Sequence, residues 1–120
     1  MPHLTIEFTN NLDAESIGQC LADANEALAA SGHFDEADIK SRARPTSLFR
    51  VGTHSEGRAF VAATLSLLSG RDEETRRDLA ERILRAMLQS FSGRNGLSVQ
   101  FSVEVTEIDR TTYAKSVSGA

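Results

Sequence analysis

The sequence predicts an α+β domain: two β-α-β units side by side, forming a four-stranded sheet with both helices on one face. Three observations carry that prediction. Segments with an apolar residue at every second position alternate with segments whose apolar residues return at helical spacing. The order strand, helix, strand occurs twice, the second copy beginning near Arg58. A chain of 120 residues is long enough for one core and too short for two ordinary domains. Residues 1–120 therefore read as a single domain, with repeat halves at about 2–57 and 58–108 and a polar tail over 109–120.

In the first run, Leu4, Ile6 and Phe8 alternate with His3, Thr5, Glu7 and Thr9, the pattern of a strand with one buried face. Asn10, Asn11 and Asp13 supply turn and cap chemistry. Over residues 14–31, Ile17, Cys20, Leu21, Ala24 and Leu28 form a helical stripe, which Gly32 is placed to stop. A second extended run over 37–51 sets Ile39, Ser41 and Ala43 on one face and Lys40, Arg42 and Arg44 on the other. Residues 60–68 repeat the strand pattern with Val61, Ala63, Leu65 and Leu67. Asp72, Glu73 and Glu74 then suit the positive end of a helix dipole. That helix should bury Leu79, Ile83, Leu84, Met87, Leu88 and Phe91 and end at Gly93 to Gly96. Leu97, Val99, Phe101, Val103 and Val105 complete the pattern as the last strand.

Parallel pairing within each unit follows from right-handed crossovers. Helices on one face leave the other face of the sheet open, where the third strand carries Phe60 and Ala62. Burial of that face against other copies of the chain, a homo-oligomer, is the expected solution. Apolar residues make up 40% and charged residues 25%, a globular balance. No apolar run reaches membrane-spanning length, and no secretory signal opens the chain. Cys20 is the sole cysteine, which excludes an intrachain disulfide and fits a reducing cytoplasmic compartment. The net charge of −4 argues against nucleic acid and for a small anionic ligand met by a local cationic cluster.

Pro2 stands directly behind the initiator methionine at the head of a strand. Once Met1 is removed, its nitrogen is a secondary amine, able to act as a general base if burial and nearby cations lower its pKa. The plainer role is to permit methionine removal. Arg71, in Ser69-Gly70-Arg71-Asp72, enters the second helix, where an arginine adds a bidentate carboxylate clamp to the helix terminus. A surface ion pair with Asp72 or Glu74 is the alternative. Lys40, Arg42 and Arg44 share a strand face: Lys40 and Arg42 suit a carboxylate-binding wall, and Arg44, before Pro45, suits a charge-defended edge. His3, His33 and His54 have no metal-ligand spacing and are expected in surface or packing roles. Cys20 belongs to the core stripe.

An amino-terminal proline, the doubled strand–helix–strand plan and a Gly-Arg step into the second helix together resemble the tautomerase superfamily. Within it, MPHLTIEFTNN, ALAASGHF, DIKSRARP and FVAATLSLLSGRDEETR are similar to the 5-carboxymethyl-2-hydroxymuconate isomerase family. The resemblance runs from Met1 to about Ile108. It implies a homotrimer acting on a small carboxylate substrate in aromatic catabolism, with no metal and no organic cofactor. It implies that Pro2 is the catalytic base moving a proton along a dienol, with Arg71 as its catalytic partner and Arg42 and Lys40 binding substrate. Lys40 departs from the family's arginine, keeping the charge but losing the planar fork. Arg44 and Pro45 stand where the family has a histidine and an aromatic. Two other readings fit these departures: a tautomerase with a different enol or acrylate substrate, and a trimeric ligand-binding module without catalysis.

Overall fold

A computed structural model describes residues 1–91 and 96–119. The elements follow the chain as β1 (His3–Thr9), α1 (Ala14–Ala30), a 3-10 turn (Glu36–Asp38), β2 (Lys40–Thr46), β3 (Arg58–Leu68), α2 (Glu73–Ser90), β4 (Ser98–Ile108) and a second 3-10 turn (Arg110–Thr112). The sheet order is β2-β1-β3-β4. Each unit pairs its own strands in parallel, β1 with β2 and β3 with β4, and the units join through antiparallel β1 and β3.

Both helices begin in the same way. The Asp13 carboxylate accepts the Ser16 N–H at 2.9 Å, and the Asp72 carboxylate accepts the Thr75 N–H at 2.8 Å. Each satisfies one of the amide donors that a helix start leaves unpaired. Gly32, at φ +81°, takes the chain out of α1 in a conformation that favours glycine. The core lies between the helices and one sheet face. Leu4, Ile6, Val61, Leu65 and Leu67 of the central strands meet Cys20, Ala24 and Leu28 of α1 and Leu79, Ile83 and Met87 of α2. Burying one such large side chain contributes about 1.5–3 kcal/mol. The Phe91 and Phe101 rings, 5.4 Å apart, close the core under α2.

Two expectations need revision. The second extended run is shorter than residues 37–51, because Glu36–Asp38 forms a 3-10 turn and the strand stops at Thr46. Pro45 in that strand can give no N–H to a neighbour, which suits an edge strand close to its end. Leu88 does not join the buried stripe of α2 but is half exposed. It lies on the far side of the helix from Leu79 and Ile83, which belong to the core. The expected helix stop at Gly93 to Gly96 falls, except for Gly96, outside the described residues. The tail, finally, folds back on its own chain. Arg110 donates to the Ser69 carbonyl at 3.1 Å, and Lys115 pairs with Asp38 at 2.7 Å.

Candidate functional site

Strand direction alone gathers the candidate residues. Because β1 runs parallel to β2 and antiparallel to β3, the starts of β1 and β2 lie at the end where β3 and β4 finish. Pro2 sits just before β1, fully buried, and its carbonyl accepts the Lys40 N–H at 3.1 Å. The register sets His3 opposite Lys40 and Thr5 opposite Arg42. Period-2 parity then turns His3, Lys40 and Arg42 to the same face, away from the helices.

Arg42 reaches the His3 ring, its Nη2 lying 2.9 Å from Nδ1. The other ring nitrogen, Nε2, lies 3.4 Å from the Tyr113 hydroxyl. The Lys40 ammonium donates to the Asp38 carbonyl oxygen, and Lys115 pairs with the Asp38 carboxylate. His3, Ala37, Asp38, Lys40, Tyr113 and Lys115 line part of an open groove of about 570 Å³. Its lining carries two ammonium groups, Lys40 and Lys115, and one carboxylate, Asp38. The terminal amine of Met1 is held below its ordinary pKa, first by burial and then by Lys40 and Lys115. The His3 imidazole is likewise lowered, by burial and then by Arg42, Lys40, the terminal amine and Lys115. The Lys115 ammonium holds the Asp38 carboxyl below the usual range.

Pro2, Lys40 and Arg42 are thus drawn to one corner. Arg71 belongs to the same end of the sheet, three residues beyond β3. Its guanidinium, however, donates to the His33 carbonyl at 3.3 Å and lies 4.8 Å from the centre of the Phe34 ring. Among the described residues it makes no ion pair with Asp72 or Glu74; those carboxylates sit at the start of α2, where Asp72 is the cap. Arg44 lines a separate shallow pocket with Thr5, Glu7, Pro45 and Thr46 at the β2 edge. Cys20 is buried in the core as expected, its thiol pushed up to about 11 by burial and by Asp23.

The family pattern for 5-carboxymethyl-2-hydroxymuconate isomerase matches residues 2–118. The chain belongs to that family. A 5-carboxymethyl-2-hydroxymuconate Delta-isomerase of Escherichia coli is 27% identical over 117 residues, 96% of this chain and 93% of the relative. A 5-carboxymethyl-2-hydroxymuconate isomerase from Deinococcus radiodurans R1 superposes with a TM-score of 0.85 at 28% identity, covering 96% of this chain and 88% of its own. A wild-type fused 4-OT, a symmetric trimer, shares the fold with a TM-score of 0.72 at 18% identity, over 91% of this chain and 87% of its own. The chain is an isomerase with the tautomerase fold. No described helix is long and apolar enough to cross a membrane.

Four residues at the corner were given no such place by the sequence. His3 was expected in a surface or packing role, yet it bridges Arg42 and Tyr113. Asp38 and the tail residues Tyr113 and Lys115 complete the groove. Tyr113, the one tyrosine of the chain and set in an otherwise polar tail, was the available signal.

Proposed function

We propose that this isomerase ketonises a 2-hydroxymuconate-type dienol carboxylate, using the amine of Pro2 as general base after removal of Met1. The observation that carries this reading is the burial of Pro2 at the cationic end of the sheet. With Met1 attached, the Pro2 nitrogen is an amide without basicity; freed, it is a secondary amine fixed at the head of a strand. Burial, Lys40 and Lys115 already lower the pKa of the amine at this terminus. An amine one residue deeper meets the same desolvation and the same cations, both of which favour the neutral, basic form.

The base takes the proton of the 2-hydroxyl group. The electron pair moves through the conjugated diene as the carbonyl forms, and the prolinium returns the proton to a remote carbon. No atom is gained or lost. Lys40, Arg42 and Arg71 hold the substrate carboxylates and stabilise the dienolate charge. The active assembly is a homotrimer, in keeping with the trimeric fold relative and the open sheet face, and works in the cytoplasm in aromatic catabolism. Single-domain organisation over 1–120, with repeat halves at about 2–57 and 58–108, belongs to the same reading. A substrate with fewer carboxylates is the second reading, favoured by Lys40, whose ammonium is engaged by the Asp38 carbonyl and lacks a planar fork.

The test is an ultraviolet ketonisation assay on protein whose intact mass shows Met1 removed. Adding one residue ahead of Pro2 should lower kcat by about 10²–10⁴-fold, the usual contribution of a positioned general base. Equal rates with free and blocked Pro2 sink the mechanism.

A further inference from the structure

We infer that Tyr113 and Lys115, carried on the C-terminal segment, contact the ligand in the groove and select an anion with a second carboxylate remote from the first. The inference deepens the isomerase reading above and rests on it for the identity of the reaction, though not for binding.

The hydrogen-bond chain through His3 has only one consistent direction. A guanidinium can only donate, so His3 Nδ1 accepts from Arg42. The ring is then neutral with its proton on Nε2, which donates to the Tyr113 oxygen. Burial favours that neutral state, and so do the cationic Arg42, Lys40 and Lys115. A phenol that accepts from His3 keeps its own O–H proton for donation to a ligand.

Lys115 supplies the charge. Its ammonium has three N–H donors, and the Asp38 carboxylate takes one at 2.7 Å. The pair is about one-third exposed on both sides, the kind of contact that contributes little and is readily shared with an incoming anion. Lys40 meets Asp38 at its carbonyl and Lys115 meets it at its carboxylate. The two ammonium groups therefore flank a single residue and can receive two carboxylates of one ligand. Ala37, Ala114 and Val117 line the same groove, and Val117 is 78% exposed, an apolar surface for the carbon chain between those carboxylates. One lining carboxylate against two lining ammonium groups leaves the groove short of negative charge.

The chain has one tyrosine and no tryptophan, so its tyrosine emission reports Tyr113 alone. Titrating the mature protein with glutarate, a dicarboxylate, should change that emission saturably; valerate, with the same carbon count and one carboxylate, should bind more weakly. Lys115→Met should weaken glutarate about tenfold, to the level of valerate, and Lys115→Arg should restore it. Tyr113→Phe, followed by calorimetry, should also weaken glutarate. Circular dichroism of each variant checks the fold. A flat emission titration, or equal glutarate affinity in Lys115→Met and the parent, overturns the inference. Expected titrations in a protein without isomerisation would leave the subsite standing and remove the reaction; full turnover with unaltered glutarate binding in both variants would do the reverse.

Discussion

The two β-α-β units are built alike at one end and differ at the other. In each unit three residues separate the end of the first strand from an aspartate cap: Thr9 from Asp13 and Leu68 from Asp72. The next amide in each bonds to the end of the partner strand, Asn10 to Thr46 at 3.0 Å and Ser69 to Ile108 at 2.9 Å. The starts diverge. β1 and β2 have seven residues each, whereas β3 and β4 have eleven. In the longer unit the chain arrives through Gly57, whose carbonyl takes the Ser98 N–H at 2.9 Å; in the shorter one the same bond runs from Lys40 to Pro2. β1 starts opposite the end of β3, with His3 facing Ser66 and β3 finishing at Leu68, so the chain terminus lies at the strand end between β2 and β3. Duplication thus supplied the frame twice, but only the short unit offers a terminal amine between neighbouring strands.

The difference can be broken most heavily at the seam that both units share. Leu65 of β3 is fully buried opposite Leu4 of β1. Leu65→Ala should destabilise the fold by about 2–5 kcal/mol, from lost burial and the cavity left behind. Leu88→Ala, on the half-exposed side of α2, should stay within about 0.5 kcal/mol. Urea unfolding of both variants checks this; equal costs would mean that the seam is not where the units are held.

Arg71 sharpens the contrast next. Its counterpart ahead of the first cap is Leu12, which is buried. Arg71→Ala should weaken carboxylate binding by about 1.5–3 kcal/mol, the range for charge-assisted hydrogen bonds. Unchanged kcat and KM would leave Arg71 with the Phe34 ring and the His33 carbonyl as its whole purpose.

A smaller effect separates the two strand starts electrostatically. Burial and then Lys40 lower the pKa of the Met1 amine; the same cation stands beside the Pro2 amine once Met1 is removed, so Lys40→Met should let the pKa of that base rise. The acid limb of kcat/KM, set by protonation of the base, would then move to higher pH. A limb that stays in place would show that Lys40 does not act on the base.

Much of this frame can be read from the chain. Alternation at Leu4, Ile6 and Phe8 and again from Val61 to Leu67 defines the central strands, because one face of each is dry and the other is not. Repetition of that pattern gives the doubled plan. Pro2, Lys40 and Arg42 were legible as candidates by residue type and strand parity. His3 and Tyr113 were not, since a contact across 110 positions leaves no periodic mark. The early end of β2 was obscured by apolar and basic residues that continue beyond Pro45. Leu88 misled because a helical stripe broader than its sheet contact still looks continuous in sequence.

The mildest test compares the two caps, which the units have in common. Hydrogen bonds from Thr75 hold the Asp72 carboxyl below its ordinary value. The group binds its proton less readily when folded, so its contribution to stability is present above the unfolded pKa, about 3.9. It is lost as pH falls through the lower, folded value. Asp72→Asn keeps an oxygen acceptor for the Thr75 N–H but removes the charge. Its melting temperature should lie below the parent's at neutral pH, and the gap should close in acid. Asp72→Ala should lie lower still at neutral pH, having neither charge nor acceptor. A gap between Asn and parent that persists unchanged in acid would show that the carboxylate's charge adds nothing to the cap, and that the hydrogen bond alone starts the helix.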